Sequence, residues 1–375
     1  MNKIKLLCIL AIIGLLNSCN VNQTEKDNKM NAEEKYIVNP SEEAKRNAEK
    51  NQFGLVYDGA IEKNEQGKVN IQTVSYNIGE NKAVANVYTP ANFDANKKYP
   101  TIVVAHPNGG VKEQVSGLYA QRLAELGYIT IAFDALYQGG SEGFPRNIDT
   151  PNNRVNDIRA AADFISTFKG ADINRLGVLG ICGGGGYTIK AVQTDKRFKA
   201  AATLSMFDSG LVRRNGFLDS QIDSIEERLE EASLARQKEA LTGEVTYTSS
   251  APVKLSDEEL AKIPTDLYRE GAIYYGDTHA HPHSSFAYTT SSLLDLMSFD
   301  VINNIELLNQ PLLMLVGDKA DTAYMSRRIF ENASGTKNKE LYELKDATHI
   351  QTYFKQDAVN EAVSKLDEFY KNNLQ

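Results

Sequence analysis

Tryptophan is absent from the 375 residues, and only three are cysteine. So few thiols exclude a disulfide-built scaffold. Positive charge is not in excess either. With 41 Lys and Arg against 49 Asp and Glu the chain carries a net charge of −8, and no basic stripe interrupts it. Nucleic acid is therefore not an expected partner. Beyond the first twenty residues no long apolar run occurs, which excludes a polytopic membrane protein. The remainder is ordinary, with 42% hydrophobic and 24% charged residues. That is the composition of a soluble globular chain. It is long enough for one large α/β domain with an insertion, or for two ordinary domains.

The N-terminus reads as an export signal. Met1-Asn2-Lys3-Ile4-Lys5 carries two positive charges, an apolar run spans Leu6 to Leu16, and Leu16-Asn17-Ser18-Cys19 follows. A basic start, a short apolar stretch and small residues before a cleavage point have this form. The run has roughly 11 residues, short of the about 20 that span a bilayer. Leu-Asn-Ser-Cys resembles a bacterial lipobox, which implies removal of residues 1–18 and lipidation of Cys19. The expected location is the bacterial cell envelope, with the chain held to the membrane by acyl chains. Residues 19–52, rich in Asn, Glu and Lys, read as a polar tether. Cys8 leaves with the signal and lipid consumes Cys19, so Cys182 is the remaining thiol and no disulfide can form in the folded part. Such a cysteine is either a small buried hydrophobe or a reactive group, and its setting decides.

From about Phe53 strand and helix patterns alternate. Val69 to Val74 and Ala83 to Tyr88 read as two antiparallel strands joined by a turn at Gly79-Glu80-Asn81-Lys82. Continuous apolar runs start at Thr101, Tyr128, Leu176, Ala200 and Pro311. Runs without alternation mean strands buried on both faces, hence a parallel sheet. Helical patterns lie between them, at Gln114 to Leu126, Asn153 to Phe168 and Gly186 to Gln193, with a last helix at Asp357 to Tyr370. This order predicts one mostly parallel, doubly wound α/β sheet. The rhythm breaks after Asp208. Ser220 to Leu241 predicts a helix with Ile222, Ile225 and Leu229 on its apolar face, and Ser256 with Glu259 predicts a capping box. The expected organisation is a core over residues 53–208, a mostly helical cap inserted over 209–309, and the rest of the core over 310–375.

Gly180-Ile181-Cys182-Gly183-Gly184 stands where a buried strand turns into a helix. It fits the small-x-nucleophile-x-small pattern of a nucleophile elbow. Glycines two residues either side relieve a turn too tight for β-carbons, and the nucleophile projects from the sheet in a strained conformation. The helix N-terminus behind it is expected to lower the thiol pKa, and the Gly183 amide is placed for an oxyanion hole. Dinucleotide and phosphate-loop patterns do not fit the same glycines. A cysteine nucleophile needs a base, and an acid to orient that base. His349 follows a late strand and is the candidate base. Asp321 is the favoured acid, with Asp318 and Asp208 as alternatives.

These features resemble the α/β-hydrolase superfamily, in particular dienelactone-hydrolase-like and peptidase S15-like hydrolases, from about Lys68 to the C-terminus. The resemblance is carried by His106-Pro107-Asn108-Gly109-Gly110-Val111-Lys112-Glu113-Gln114, Gly139-Gly140-Ser141, Gly180 to Gly186 and Ala347-Thr348-His349. It implies the α/β-hydrolase fold and a second oxyanion amide from Asn108 or Gly109. No serine stands in the elbow, so Cys182 alone can serve as nucleophile. His106 is expected to be structural. His279-Ala280-His281-Pro282-His283 resembles a metal-binding pattern, yet reads better as a cap loop facing the active-site mouth. The expected protein is thus a lipid-anchored hydrolase acting on a small-molecule ester, lactone or thioester, with no cofactor and no metal. The rivals are a catalytically inactive surface binding protein of the same fold, a redox-sensing thiol protein and a peptidase.

Overall fold

Uninterrupted apolar runs become central strands because both faces of such a strand must be covered. A computed structural model of the protein describes residues 41–248 and 252–375. Helix α1 (Glu42–Ala48) precedes strands β1 (Asn70–Ile78), β2 (Asn81–Thr89) and β3 (Tyr99–Ala105). Then come helix α2 (Val115–Glu125), β4 (Ile129–Phe133), α3 (Pro151–Thr167), β5 (Ala171–Ile181), α4 (Gly183–Thr194) and β6 (Ala200–Leu204). Helices α5 (Ser209–Asn215), α6 (Ile225–Thr242), α7 (Asp257–Ala261), α8 (Asp266–Ile273) and α9 (Leu293–Leu296) separate β6 from β7 (Leu312–Gly317). The chain closes with α10 (Ala323–Asn332), β8 (Lys339–Leu344), α11 (Gln351–Phe354) and α12 (Gln356–Asn373).

The strands form one sheet in the order β1-β2-β4-β3-β5-β6-β7-β8. β2 pairs antiparallel with both β1 and β4, and every pairing from β4 through β3 to β8 is parallel. Every residue of β4, β6 and β7 is buried, whereas the edge strands β1 and β8 are partly exposed. α2 packs with α12, and α3 packs with α4, so helices cover the two faces as pairs. This is the expected doubly wound α/β-hydrolase architecture. From β3 the chain moves outward to β4 on one side and returns to β5 on the other. Where strand order reverses in this way, a crevice opens beyond the carboxyl ends of the strands. The loop after β3 and the turn at Cys182 both end there.

Between β6 and β7 the regular elements among the described residues are helices joined by turns and irregular segments, with one isolated antiparallel bridge of Tyr247 with Thr289. The capping box at Ser256 and Glu259 forms as expected. The long helix is shorter than its periodicity predicts. Two 3-10 turns, Phe217–Asp219 and Ile222–Ser224, precede it, and α6 begins only at Ile225. Ile225 and Leu229 pack with Ala232, Leu293 and Met297, while Ile222 lies exposed.

The tether expected over residues 19–52 also requires correction. Residues 1–40, which include the expected signal and Cys19, lie outside the described part, but from Ser41 the chain is docked. Ser41 caps α1 by accepting from the Ala44 amide. Asn47, buried, donates to the carbonyls of Asp277, Thr278 and Ala280. A polar composition concealed a helix whose anchor is itself polar, so no apolar stripe betrayed it. Asn47→Ala removes the side-chain donor that these carbonyls share and is expected to cost about 1–3 kcal/mol in urea unfolding. A loss too small to measure would show that α1 does not dock.

Candidate active site

β5 ends at Ile181 and α4 starts at Gly183, which leaves Cys182 alone to turn the chain. It does so at φ 54° and ψ −122°, a strained conformation for a residue with a β-carbon. Its amide donates to Leu204 O at 2.9 Å, and its carbonyl accepts from Gly185 at 2.8 Å and Phe207 at 2.9 Å. The flanking glycines are obligatory. A β-carbon at Gly180 would stand 2.5 Å from Gly184 O, and one at Gly184 would stand 2.6 Å from the carbonyls of Ala105 and His106.

The loop after β3 is built just as tightly. Gly109 has φ 70°, and a β-carbon there would reach to 2.7 Å of Ser285 O. Its carbonyl accepts from Ser284 Oγ and the Ser285 amide. Asn108 Nδ2 donates to Ser209 Oγ at 2.8 Å, and its Oδ1 fills the space that a side chain on Gly183 would need. The amides of Asn108 and Gly183 both bear on the Cys182 sulfur. Gly109 instead serves the loop through its carbonyl. Behind the loop Lys112 Nζ pairs with Asp134 at 2.8 Å and Glu113 at 2.5 Å, all three buried. His106 is structural, its Nε2 accepting from Ala135 and its Nδ1 bonded to Pro107 O.

The thiol departs from expectation. Burial pushes the Cys182 pKa up, and the Tyr353 hydroxyl, the two amides and the charge of Arg213 only partly offset it. The desolvation cost of a thiolate outweighs the helix N-terminus here, so at rest the group is a thiol that needs a proton acceptor.

His349 is buried and held at both ring nitrogens. Nδ1 is 2.6 Å from Thr322 Oγ1, and Nε2 is 2.9 Å from Tyr353 Oη. Tyr353 also meets the sulfur, since its hydroxyl and Cys182 shift one another's ionisation by hydrogen bonding. The residues thus form a chain from Cys182 through Tyr353 and His349 to Thr322. Asp321 is not in it. Its Oδ2 accepts from the Leu267 amide at 3.0 Å at the start of α8, and Thr322, the next residue, turns toward the ring instead. Asp318 accepts from the Ala347 amide, and Asp208 caps α5 and pairs with Arg328 at 3.0 Å. Neither alternative acid bonds His349. Tyr353 and Thr322 were not singled out from sequence. Tyr353 had a weak signal, standing four residues beyond His349 just past the turn that carries it; Thr322 had none.

The three clustered histidines do not face the site mouth. The His279 ring stacks on Tyr274 with centroids 4.3 Å apart, and His281 lies beside Gly54. None lines the cavity at Cys182, and among the described residues no His/Cys/Asp/Glu cluster suits a metal ion. That cavity, about 500 Å³, is walled mainly by Phe207, Leu255, Leu267, Tyr268, Tyr275, Phe286, Tyr288 and Ile350.

Burial holds the His349 pKa down to about 3, against roughly 6.5 in an unfolded chain. The folded ring is therefore neutral, and below about pH 6.5 the unfolded chain takes up the extra proton. Its contribution to stability is complete above that pH and lost as pH falls toward the folded value. In NMR the His349 Hε1 resonance is expected not to titrate between about pH 8 and 4. A midpoint near the ordinary value would refute the dry environment.

Three comparisons place this geometry among known proteins. The Dienelactone hydrolase family profile matches residues 84–207, which contain the elbow and the β3 loop. The chain is 36% identical over 308 residues to the uncharacterized protein YcjY of Escherichia coli, covering 80% of this chain and 98% of YcjY. It superposes on the crystal structure of hypothetical protein PA2218 of Pseudomonas aeruginosa with a TM-score of 0.74 at 31% identity, covering 82% of this chain and 95% of that one. A more distant relative, thiohydrolase aneE of Aspergillus aculeatus, is 25% identical over 259 residues, covering 65% of this chain and 77% of that protein. The chain belongs to the family of YcjY and PA2218, α/β-hydrolases with a dienelactone hydrolase domain.

Proposed function

We propose that the protein hydrolyses an ester, lactone or thioester through an acyl-enzyme on Cys182. The observation that carries this reading is the continuous chain from Cys182 through Tyr353 to His349, at a strained corner that holds two amides against the sulfur. As Sγ attacks the carbonyl carbon, its proton passes to Tyr353 Oη and the phenolic proton passes to His349 Nε2. The Nδ1–H donates to Thr322 Oγ1 throughout and fixes the tautomer. The carbonyl oxygen gathers negative charge against the Gly183 and Asn108 amides. Collapse expels the alkoxide or thiolate, which takes the proton back along the same chain. Water activated by the same pair then attacks the thioester, releases the acid and restores the thiol. Family membership supports a hydrolase, and the name of aneE adds thioesters to the substrates worth testing.

A second reading, a surface protein that binds its ligand without turnover, is favoured by one observation: among the described residues no carboxylate bonds His349. Intact-mass analysis with p-nitrophenyl and thioester substrates separates the two. An acyl adduct on the wild type, absent from Cys182→Ala, together with turnover is the expected outcome. Stoichiometric binding without adduct or turnover supports the second reading. Tyr353→Phe is expected to lower kcat/KM by on the order of 10²-fold or more. Thr322→Val is expected to cost more than Asp321→Asn, and the reverse order would return the orienting role to Asp321. Alkylation of Cys182 by iodoacetamide is expected to have its midpoint above the ordinary thiol value of 9.0.

The proposal extends to location. The sequence at 16–19 supports lipid attachment through Cys19 at the cell envelope. Metabolic labelling with a fatty-acid analogue, lost in Cys19→Ala, tests it.

A further inference from the structure

Two successive tyrosines of one turn face the same residue of the site. Beyond Ile273 helix α8 continues as a π turn, Tyr274–Thr278, in which the His279 amide donates to Tyr274 O at 2.9 Å, five residues back. Such wide turns are rare and recur at functional sites. Here the turn brings both tyrosines to Tyr353. The Tyr274 ring packs edge-on against the Tyr353 ring with centroids 5.5 Å apart, and the Tyr275 and Tyr353 hydroxyls lie close enough to influence one another's ionisation. The two tyrosines also pack on each other at 4.8 Å, and Tyr275 closes against Phe286 at 4.6 Å. Tyr353, whose hydroxyl lies 2.9 Å from His349 Nε2 and also meets the sulfur, is thus seated against the π turn.

The carbonyls at a helix end need donors from elsewhere, and α1 supplies one. Asn47 Nδ2 lies 3.1 Å from Asp277 O, 3.3 Å from Thr278 O and 3.4 Å from Ala280 O, and the residue is 2% exposed. The ion pair of Lys254 with the Asp277 carboxylate also touches the turn, but it lies at the surface, where such pairs contribute little. The buried amide is therefore the stronger hold. Asn47 is not needed merely to fasten the N-terminal arm to the core. Farther along, the Val56 amide donates to Glu113 O at 3.0 Å and Tyr57 Oη donates to Gln121 Oε1 at 3.0 Å. What Asn47 adds is a grip on the turn that carries Tyr274 and Tyr275.

We propose that Asn47 is a positioning residue for the hydrolysis: by holding the π turn it fixes Tyr274 and Tyr275, and through them it keeps the Tyr353 hydroxyl between Cys182 and His349. This rests on the reading that Tyr353 relays the proton of Cys182. The proton relay needs the phenol within hydrogen-bond reach of both partners at once. A small displacement of the ring breaks one of the two contacts, so the turn beneath it has to be stiff. Helix α1 then belongs to the support of the site, although it lies far from Cys182 in sequence and contributes no residue to the cavity wall.

A double-mutant cycle separates positioning from stability. Asn47→Ala is expected to lower kcat on p-nitrophenyl acetate on the order of tenfold, with KM little changed because the loss falls on proton transfer in the transition state. In the Tyr353→Phe background, which has no hydroxyl to misplace, the factor is expected to shrink to about one. Urea unfolding of all four proteins gives the folded fraction under assay conditions, and rates are expressed per folded molecule. An equal factor in both backgrounds, as a loss of stability alone would give, overturns the proposal, and so does a wild-type kcat in Asn47→Ala. If the wild type hydrolyses no ester, the hydrolase reading fails, and the cycle is read in the rate of Cys182 alkylation by iodoacetamide, which the Tyr353 bond to the sulfur favours. There, slowing by Asn47→Ala that disappears in Tyr353→Phe leaves the positioning of Tyr353 standing, and any other pattern overturns it.

Discussion

A single residue holds the end of β5 against the start of α4, in a backbone conformation that side chains avoid. Such a conformation costs about 1–3 kcal/mol and persists only where its surroundings over-determine it. Here the Cys182 amide and carbonyl are tied to Leu204, Gly185 and Phe207, so β6 and the segment after it hold the corner from one side. On the other side Gly184 lets the ends of β3 and α4 approach closely, and Gly183 makes room for Asn108. The amides of Asn108 and Gly183 meet at the sulfur because the glycines permit that contact. Sheet order, loop and the Cys182 corner are thus one constraint, satisfied at the switch between β3 and β5.

The proposed proton chain follows from the dryness of that corner. Burial raises the thiol of Cys182 and the phenol of Tyr353, and it lowers the imidazole of His349. Each of the three therefore favours its neutral form in the resting protein. A carboxylate at Nδ1 would stabilise an imidazolium, whereas Thr322 fixes the ring without adding charge. In the mechanism proposed above the protons consequently move together with the developing oxyanion, with no thiolate formed beforehand. The same arrangement protects the sulfur of the resting protein, because oxidants and alkylating agents react with thiolate far faster than with thiol.

Much of the fold was legible because it rests on patterns of composition. The runs at Thr101, Ala200 and Pro311 became central strands, and the glycines around Cys182 marked the corner. The candidate nucleophile, the histidine and the Asn108 amide were found by residue type and by position at strand ends. The rest depended on features that pattern does not encode. Thr322 and Asp321 are adjacent, and backbone direction alone decides which one faces the ring. α1 was read as tether because Asn47 anchors it by hydrogen bonds to carbonyls. The thiol's upward shift arises from burial, at a cavity that Tyr275 and Phe286 also line, and these residues are distant in sequence and carry no motif.

Asp321 shows how the position of an expected acid can take another task. It lies on the loop after β7, where the acid of a triad would be sought, yet its carboxylate receives the Leu267 amide at the start of α8. Farther along the same helix Glu270 accepts from Thr348, the residue before His349. α8 is therefore tied on both sides of the histidine, and it contributes Leu267, Tyr268 and Gly271 to the cavity wall. A change in the packing of that wall would be felt at the ring through Thr348, and a change at the ring would be felt by the wall. The shape of the cavity and the setting of His349, the proposed base, are coupled through two carboxylates, neither of which touches the imidazole.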